Sequence, residues 1–502
     1  MKKFLVLSLA GLLIMAMSSM VYAQKLDFRA SGFIYVQTFL YKNLPALDYE
    51  AGPIFTGPTG VGIKKDYLPV GAVSGSGGAF DRNNAWWSQR ARLKFDAVMG
   101  KELSGTIQFE MDSTRWGDTS GDRNKMGYWT ADRNSLEIKH VYIDFGVPVI
   151  PVPTTIRVGL QGAAVRPQMV LDTDGTGITG AIKVDPITII PMYFKPLEGK
   201  DASSDDVDYY ALEVNAKLGT MKIGGYGLYT LMNSYPLTSV SSTYGARAPY
   251  TAEMWWVGIY GEGKLGPVNL ILDFVIDRGE VEAKNVSGVR DAKYRGWATR
   301  FSLEVPIDKF VVGGSFRYGS GADMKKTGPT GLPGTSVSYG SGSTTKVGSY
   351  VIPPGEGGKP EDGIVLFYGS TRTTSEPKFV TDDYGRMNRG YMGGTWFAKL
   401  FFKFKAAPWY TADFGVMYIG DTTKHGNTIG TARKKGTSLP RDDSDIGIEI
   451  GLWNDFLIYK NLDLNIGLGY LFAGDAMEYW NGTKNVEPDN PWAINTRIRY
   501  RF

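Results

Sequence analysis

Apolar and polar residues alternate with period two along most of this chain, and helical periodicity is nearly absent after residue 23. In Trp87 to Met99 one face carries Trp87, Ala91, Leu93, Phe95, Ala97 and Met99, and the other Ser88, Arg90, Arg92, Lys94 and Asp96. After Gly100-Lys101 the alternation resumes, with Leu103, Ile107, Phe109 and Met111 against Ser104, Thr106, Gln108, Glu110 and Asp112. The pattern recurs at 268–276, 297–305, 396–404, 446–452 and 462–470. Successive side chains of a strand point to opposite faces, so each segment reads as a strand with one apolar and one polar face. Eighteen such strands are predicted: 26–41, 86–99, 102–113, 135–145, 154–162, 178–184, 187–196, 207–218, 221–231, 251–263, 267–278, 293–305, 308–319, 391–405, 409–420, 445–459, 461–474 and 491–502. The short pair 178–184 and 187–196, broken by Pro186 and Pro191, is the weakest, and without it the count is 16. A slip of the apolar register within 137–141 predicts a bulge.

The connections between these strands alternate strictly in length. Short ones fall near 100–101, 146–153, 185–186, 219–220, 264–266, 306–307, 406–408 and 460–461. Long ones span 42–85, 113–134, 163–177, 197–206, 232–250, 279–292, 320–390, 421–444 and 475–490. A soluble sandwich has no reason to sort loop lengths by parity, whereas a barrel crossing a membrane does. The expected fold is therefore all-β: a transmembrane, antiparallel, up-and-down β-barrel of 18 strands (alternative 16).

The last strand, Trp492 to Phe502, puts Trp, Ile, Thr, Ile, Tyr and Phe on one face, with Ala, Asn and three arginines on the other. Ending on an aromatic, it resembles the sorting strand of Gram-negative outer-membrane porins. The resemblance implies that Tyr500 and Phe502 form an assembly signal read by the barrel-assembly machinery. It also implies short periplasmic turns, long outer loops, and an outer face against outer-membrane lipid. Porins are commonly trimers, so a homotrimer is one expectation. Residues 1–23 read as a signal peptide, with Lys2 and Lys3, an apolar run from Phe4 to Met17, and Val21-Tyr22-Ala23 before a cleavage near Ala23. Residues 24–502 then form one barrel, located in the cell outer membrane.

Composition changes this picture little. The formal charge is +4, falling to +2 with the two leader lysines, and gives no support to a nucleic-acid partner. There are no cysteines and only two histidines, His140 and His425. No Gly-x-Ser-x-Gly elbow or metal-spaced cluster accompanies either, so no catalytic residue, metal or cofactor is expected and the chain reads as a non-enzyme. Asp172-x-Asp174-Gly175 lacks the later positions of a calcium loop and reads as a turn. The aromatic pairs Trp86-Trp87, Trp255-Trp256 and Trp409-Tyr410 are assigned to interfacial girdles, with a lumenal sugar slide as the alternative.

If the apolar faces meet lipid, the other faces line a lumen. The basic candidates are Arg90, Arg92, Lys94, Arg157, Arg300, Arg317, Lys399, Lys403, Lys405, Arg497, Arg499 and Arg501. The acidic ones are Glu110, Asp112, Glu213, Asp273, Glu304, Asp413, Glu449 and Asp463. Charges in a wall need water or ion pairs, and barrels of 16–18 strands enclose water. Arg497, Arg499 and Arg501 would join Arg90, Arg92 and Lys94 across the first strand as a basic wall, facing Asp273 and Glu304. Porins fold their third outer loop inward, which makes 163–177, with Arg166, Asp172 and Asp174, the candidate constriction. The function expected is passive diffusion of ions and small hydrophilic solutes. A channel selective for saccharides or anionic polymers, and a plugged structural or adhesive barrel, remain alternatives.

Overall fold

The computed structural model describes residues 26–44, 54–55, 61–62, 82–113, 116–117, 136–198, 206–235, 250–283, 291–326, 345–354, 362–373 and 392–502. The expected signal peptide and most of the 42–85 connection lie outside them. Eighteen long strands form the wall: β1 (Leu26–Leu44), β2 (Arg82–Met99), β3 (Leu103–Ser113), β4 (Glu137–Gly146), β5 (Thr154–Val165), β6 (Leu171–Val184), β7 (Ile187–Leu197), β8 (Val207–Leu218), β9 (Met221–Tyr235), β10 (Tyr250–Leu265), β11 (Val268–Ala283), β12 (Trp297–Ile307), β13 (Phe310–Gly319), β14 (Thr395–Ala407), β15 (Tyr410–Asp421), β16 (Asp445–Tyr459), β17 (Leu462–Ala473) and β18 (Trp492–Arg501). Each pairs antiparallel with its chain neighbours. β18 closes onto β1 from Phe33↔Arg501 to Lys42↔Trp492, while the other edge of β1 pairs with β2. Closure leaves no open edge to satisfy, which is what a sheet in lipid requires.

The alternation read in the sequence becomes an inside and an outside. On β11, Leu272 and Phe274 point out while Asp273 and Val275 are buried within. Outward residues include Leu400 at 74% exposure and Ile259 at 64%. Apolar surface left in water costs about 25 cal/mol per Å². A continuous belt of such residues therefore needs a hydrocarbon neighbour. Trp87, Trp255 and Trp409 are outward, as a girdle requires, but Trp86 and Trp256 are not. Trp256 is buried and donates its indole N–H to Val351 O at 2.7 Å. Neighbouring positions on a strand cannot share a face, so each tandem pair is split by the pleat.

The expected 18 strands are present, and two boundaries differ from expectation. The weak pair is real: β6 and β7 are strands, and the count is 18, not 16. The ladder between them skips from Thr179↔Met192 to Ile182↔Ile189, because Pro191 has no N–H to give, while its other edge still aligns with Leu212. β5 and β6 continue through most of 163–177, so the third connection is only the turn 166–170, and Asp172 and Asp174 stand on β6 rather than on a loop. The expected strand 293–305 is broken. Ala292–Tyr294 pairs with β11 and, in parallel, with Lys346–Val347, before β12 begins at Trp297. The bulge does occur: opposite Gln108 and Phe109 the register passes from His140 to Ile138.

The buried apolar core lies inside the barrel. Residues 169–171 and 347–352 pack against Tyr209, Trp256, Val275 and Ala298. Ile364 to Tyr368 pack against Phe397, Met417, Trp453 and Leu471. Three pieces, from two connections, are thus folded inward and sealed to the wall by hydrophobic contact.

Candidate functional site

The inward segment 362–373 comes from the longest connection, 320–394, and is held by wall side chains. Glu449, on β16, accepts the N–H groups of Val365, Leu366 and Phe367 at 2.7, 2.7 and 3.0 Å. Trp453 donates its indole N–H to Ile364 O at 2.8 Å, and the Tyr368 hydroxyl pairs with Thr395 Oγ1. Arg372 bridges Asp413 at 2.8 Å and Asp455 at 2.7 Å. Burial alone would lower the Arg372 pKa, but the two carboxylates raise it. Asp362 meets Arg317 at 2.7 Å and Arg300 at 3.4 Å. Burial pushes the Asp362 carboxyl up, yet the charges of Arg317, Arg300 and Lys399 hold it below its ordinary value.

The turn 166–170 also points inward. Arg166 has a positive φ of 44°, which turns its side chain back onto Glu262 at 2.8 Å and onto buried Asp273, with its guanidinium 4.0 Å from the Tyr260 ring. These partners outweigh burial and raise its pKa. Met169 O accepts the Tyr350 hydroxyl at 2.5 Å, and Gln168 receives Arg317 at its carbonyl (2.9 Å) and side chain (2.6 Å). Arg317 thus ties the turn, the wall and the segment together. Below them lies a cavity of about 300 Å³, lined by Arg300, Arg372, Lys399 and Lys403, by Glu304, Asp362 and Asp413, and by Ser302, Ser315, Phe401 and Trp453.

The remaining candidates fall into three groups. Around the closure seam, Arg501↔Phe33↔Arg92 and Arg499↔Tyr35↔Arg90 form cross-strand rows, in which the Phe33 and Tyr35 rings stack at 5.7 Å. Arg497 is adjacent, on Asn465 at 3.0 Å and Thr371 O at 3.3 Å. The two arginines of each strand share a carboxylate that spans both rows: Glu110 takes Arg92 and, at 3.8 Å, Arg90, while Asp463 takes Arg499 at 3.4 Å and Arg501 at 2.7 Å. Lys94 pairs with Asp96 at 3.0 Å. Asp112 aligns with Arg90 in the ladder. Further round, Asp174 meets Lys139 and, at 2.8 Å, His140, and Arg157 binds Asp144 at 2.7 Å. Asp172 aligns with Ala164. Elsewhere on the wall, Glu213 accepts the Tyr260 hydroxyl at 2.5 Å, and Lys403 pairs with Glu304 at 3.1 Å. Lys405 aligns with Thr411. Asp273 and Glu304 are therefore engaged by Arg166 and Lys403, not held free opposite the seam.

Sequence reasoning passed over Asp362, Arg372 and the 364–368 run. The available signal was that run itself, Ile-Val-Leu-Phe-Tyr, five apolar residues inside an otherwise Gly-, Ser- and Pro-rich connection.

No protein-family model matches the chain, and no curated protein matches it. Among solved structures it is similar to Pseudomonas aeruginosa OccK8 (OprE), at 11% identity and a TM-score of 0.49, covering 95% of this chain and 98% of that one. It is also similar to Pseudomonas aeruginosa OpdL, at 9% identity and TM-score 0.48, covering 95% and 99%. A third is the outer membrane protein opdK from Pseudomonas aeruginosa, at 7% identity and TM-score 0.47, covering 94% and 99%.

Proposed function

We propose that the chain is an outer-membrane channel that passes ions and small hydrophilic solutes by diffusion through its lumen. One observation carries the reading. A closed 18-strand barrel presents an apolar belt outward and charged side chains of both signs inward, an arrangement that suits lipid outside and water within. Arg90, Arg92, Arg499, Arg501 and Glu110 would line the passage along the seam, and Arg300, Lys399, Lys403, Glu304 and Asp413 the side beneath the inward segment. The constriction is built from 362–373 and the turn at Arg166, not from Asp172 or Asp174. In this reading Tyr500 and Phe502 are the strand end that the assembly machinery reads.

A selective channel is favoured over a general one by the charged cavity beneath the segment, because paired charges around a small void discriminate solutes by charge and shape. The test is planar-bilayer recording of the purified protein. Discrete conductance steps blocked by one solute class support the selective channel, and unblocked steps support a general one. A folded barrel that inserts but carries no current overturns both and leaves the plugged barrel.

A further inference from the structure

Two arginines stand directly opposite each other on the outside of the barrel. The ladder between β11 and the chain entering β12 keeps one register, Ile276↔Trp297 and Gly279↔Tyr294, which sets Arg278 across from Arg295. Leu272 and Phe274 fix the even positions of β11 as outward, and both arginines are exposed. Their backbone is held in place. Arg295 N donates to Val347 O at 2.8 Å, and Arg278 Nη1 donates to Asp277 O and, at 3.0 Å, to Gly296 O. Among the described residues no carboxylate pairs with either guanidinium. The carboxylates next along this face are engaged elsewhere, Glu280 by Lys293 at 2.8 Å and Glu253 by the Tyr229 hydroxyl. Like charges directly opposite on a sheet repel, so the pair is at its most stable with an anion between them.

The neighbours of the pair decide which anion. Trp255 lies opposite Arg278 on β10, and Trp297 follows Arg295 by two positions on the same face. Both indoles are outward, at 49% and 37% exposure, and they pack on Tyr229 at 4.2 Å and Tyr318 at 4.6 Å. Such aromatics mark the edge of the hydrocarbon region. β11 starts from a short turn, so Arg278 lies toward its other end, on the side of the long connections, where the outer leaflet is. Water would neutralise such a pair out in the loops; at the rim of the apolar belt the available counterion is a lipid head group. We infer that Arg278 and Arg295 clamp the phosphate of an outer-leaflet lipid, with Trp255 and Trp297 beside its acyl chains. A guanidinium fork matches phosphate bidentately, and two forks on opposed strands bracket one group. The inference depends on the place of the barrel in the outer membrane and not on conduction.

The test is native mass spectrometry of the detergent-solubilised barrel titrated with diphosphoryl lipid A and with the same lipid stripped of its phosphates. The unaltered protein should hold the phosphorylated form more tightly by about tenfold, and Arg278→Gln with Arg295→Gln should abolish that preference. Heat-dependent gel mobility checks that the variant is a folded barrel. A control removes two exposed cations at the opposite rim, Lys217→Gln with Lys264→Gln, and should keep the preference. Three results overturn the inference: no preference in the unaltered protein, a preference that survives loss of both arginines, or an equal loss in the control, which would make net charge the cause. Displacement of the lipid by millimolar inorganic phosphate would also overturn it, since the site would then serve the free anion. Absence of conductance with these binding results intact would remove the channel reading and leave the lipid site.

Discussion

Glu449 and Val365 are joined by a 2.7 Å hydrogen bond from the backbone N–H of a folded-in connection to a carboxylate of the barrel wall. The two residues are 84 positions apart. Because Leu366 and Phe367 donate to the same carboxylate, a single wall side chain satisfies three consecutive buried donors. An irregular segment cannot pair such donors within itself, so this one wall group supplies what a strand neighbour would.

Glu449→Ala should release the segment while leaving the barrel closed. Each orphaned N–H costs about 1–3 kcal/mol, and no wall hydrogen bond is lost. Single-channel recordings should show larger and noisier steps than the unaltered protein, with folded yield unchanged. Steps of unaltered size and noise would show that the segment is held by its apolar contacts alone.

Replacing Arg90 and Arg92 together by Ala should shift ion preference toward cations. Both guanidiniums serve Glu110, which among the described residues would keep Lys139, at 4.0 Å, as its one cation. Reversal potentials across a salt gradient read this directly. The shift should shrink at high salt, since a Debye length of about 3 Å at 1 M screens the wall charges. An unmoved reversal potential would remove the seam from the conduction path.

The segment should loosen only in strong acid. The Asp362 carboxyl is held below its ordinary value of 3.8 by Arg317, Arg300 and Lys399. A depressed folded-state pKa contributes stability that is complete above 3.8 and lost as pH falls through the lower folded value. Conductance should therefore stay level from neutral pH down to about 4 and rise below it, and Asp362→Asn should flatten the rise. A step at mildly acidic pH would point to another group.

Gly32→Ala should weaken barrel closure. A Cβ there would lie 2.3 Å from Arg92 O and 3.0 Å from the Phe502 ring, while Gly32 and Phe502 exchange backbone hydrogen bonds at 2.9 and 3.1 Å. Forcing the strands apart costs roughly 1–3 kcal/mol. Thermal denaturation should shift several degrees lower, and an unchanged midpoint would show that the strand end tolerates displacement.

Much of the wall was legible in the sequence. Strict alternation through Leu272, Asp273 and Phe274 can be satisfied only by a strand between an apolar and a polar medium. The slip near Lys139 likewise announced its bulge. Short length and the prolines at 186 and 191 made β6 and β7 look weak, yet tertiary pairing on both edges overrode that local preference. Trp86 and Trp256 were misread because tandem aromatics resemble a girdle until the pleat assigns each a face.

Local sequence determined the strands, their two faces and the parity of their connections, because a strand's faces repeat every two residues and each turn is set within a few positions. Which connection fills the lumen, and which charges meet, was decided only by the closed barrel. Asp362, Arg372 and Glu449 find their partners 41 to 84 residues away, through closure and register rather than spacing. The basic seam was foreseeable from chain order. Its neutralisation by Glu110 and Asp463, and the pull of Arg166 onto Asp273, appear only when strands distant in sequence enclose the same small volume.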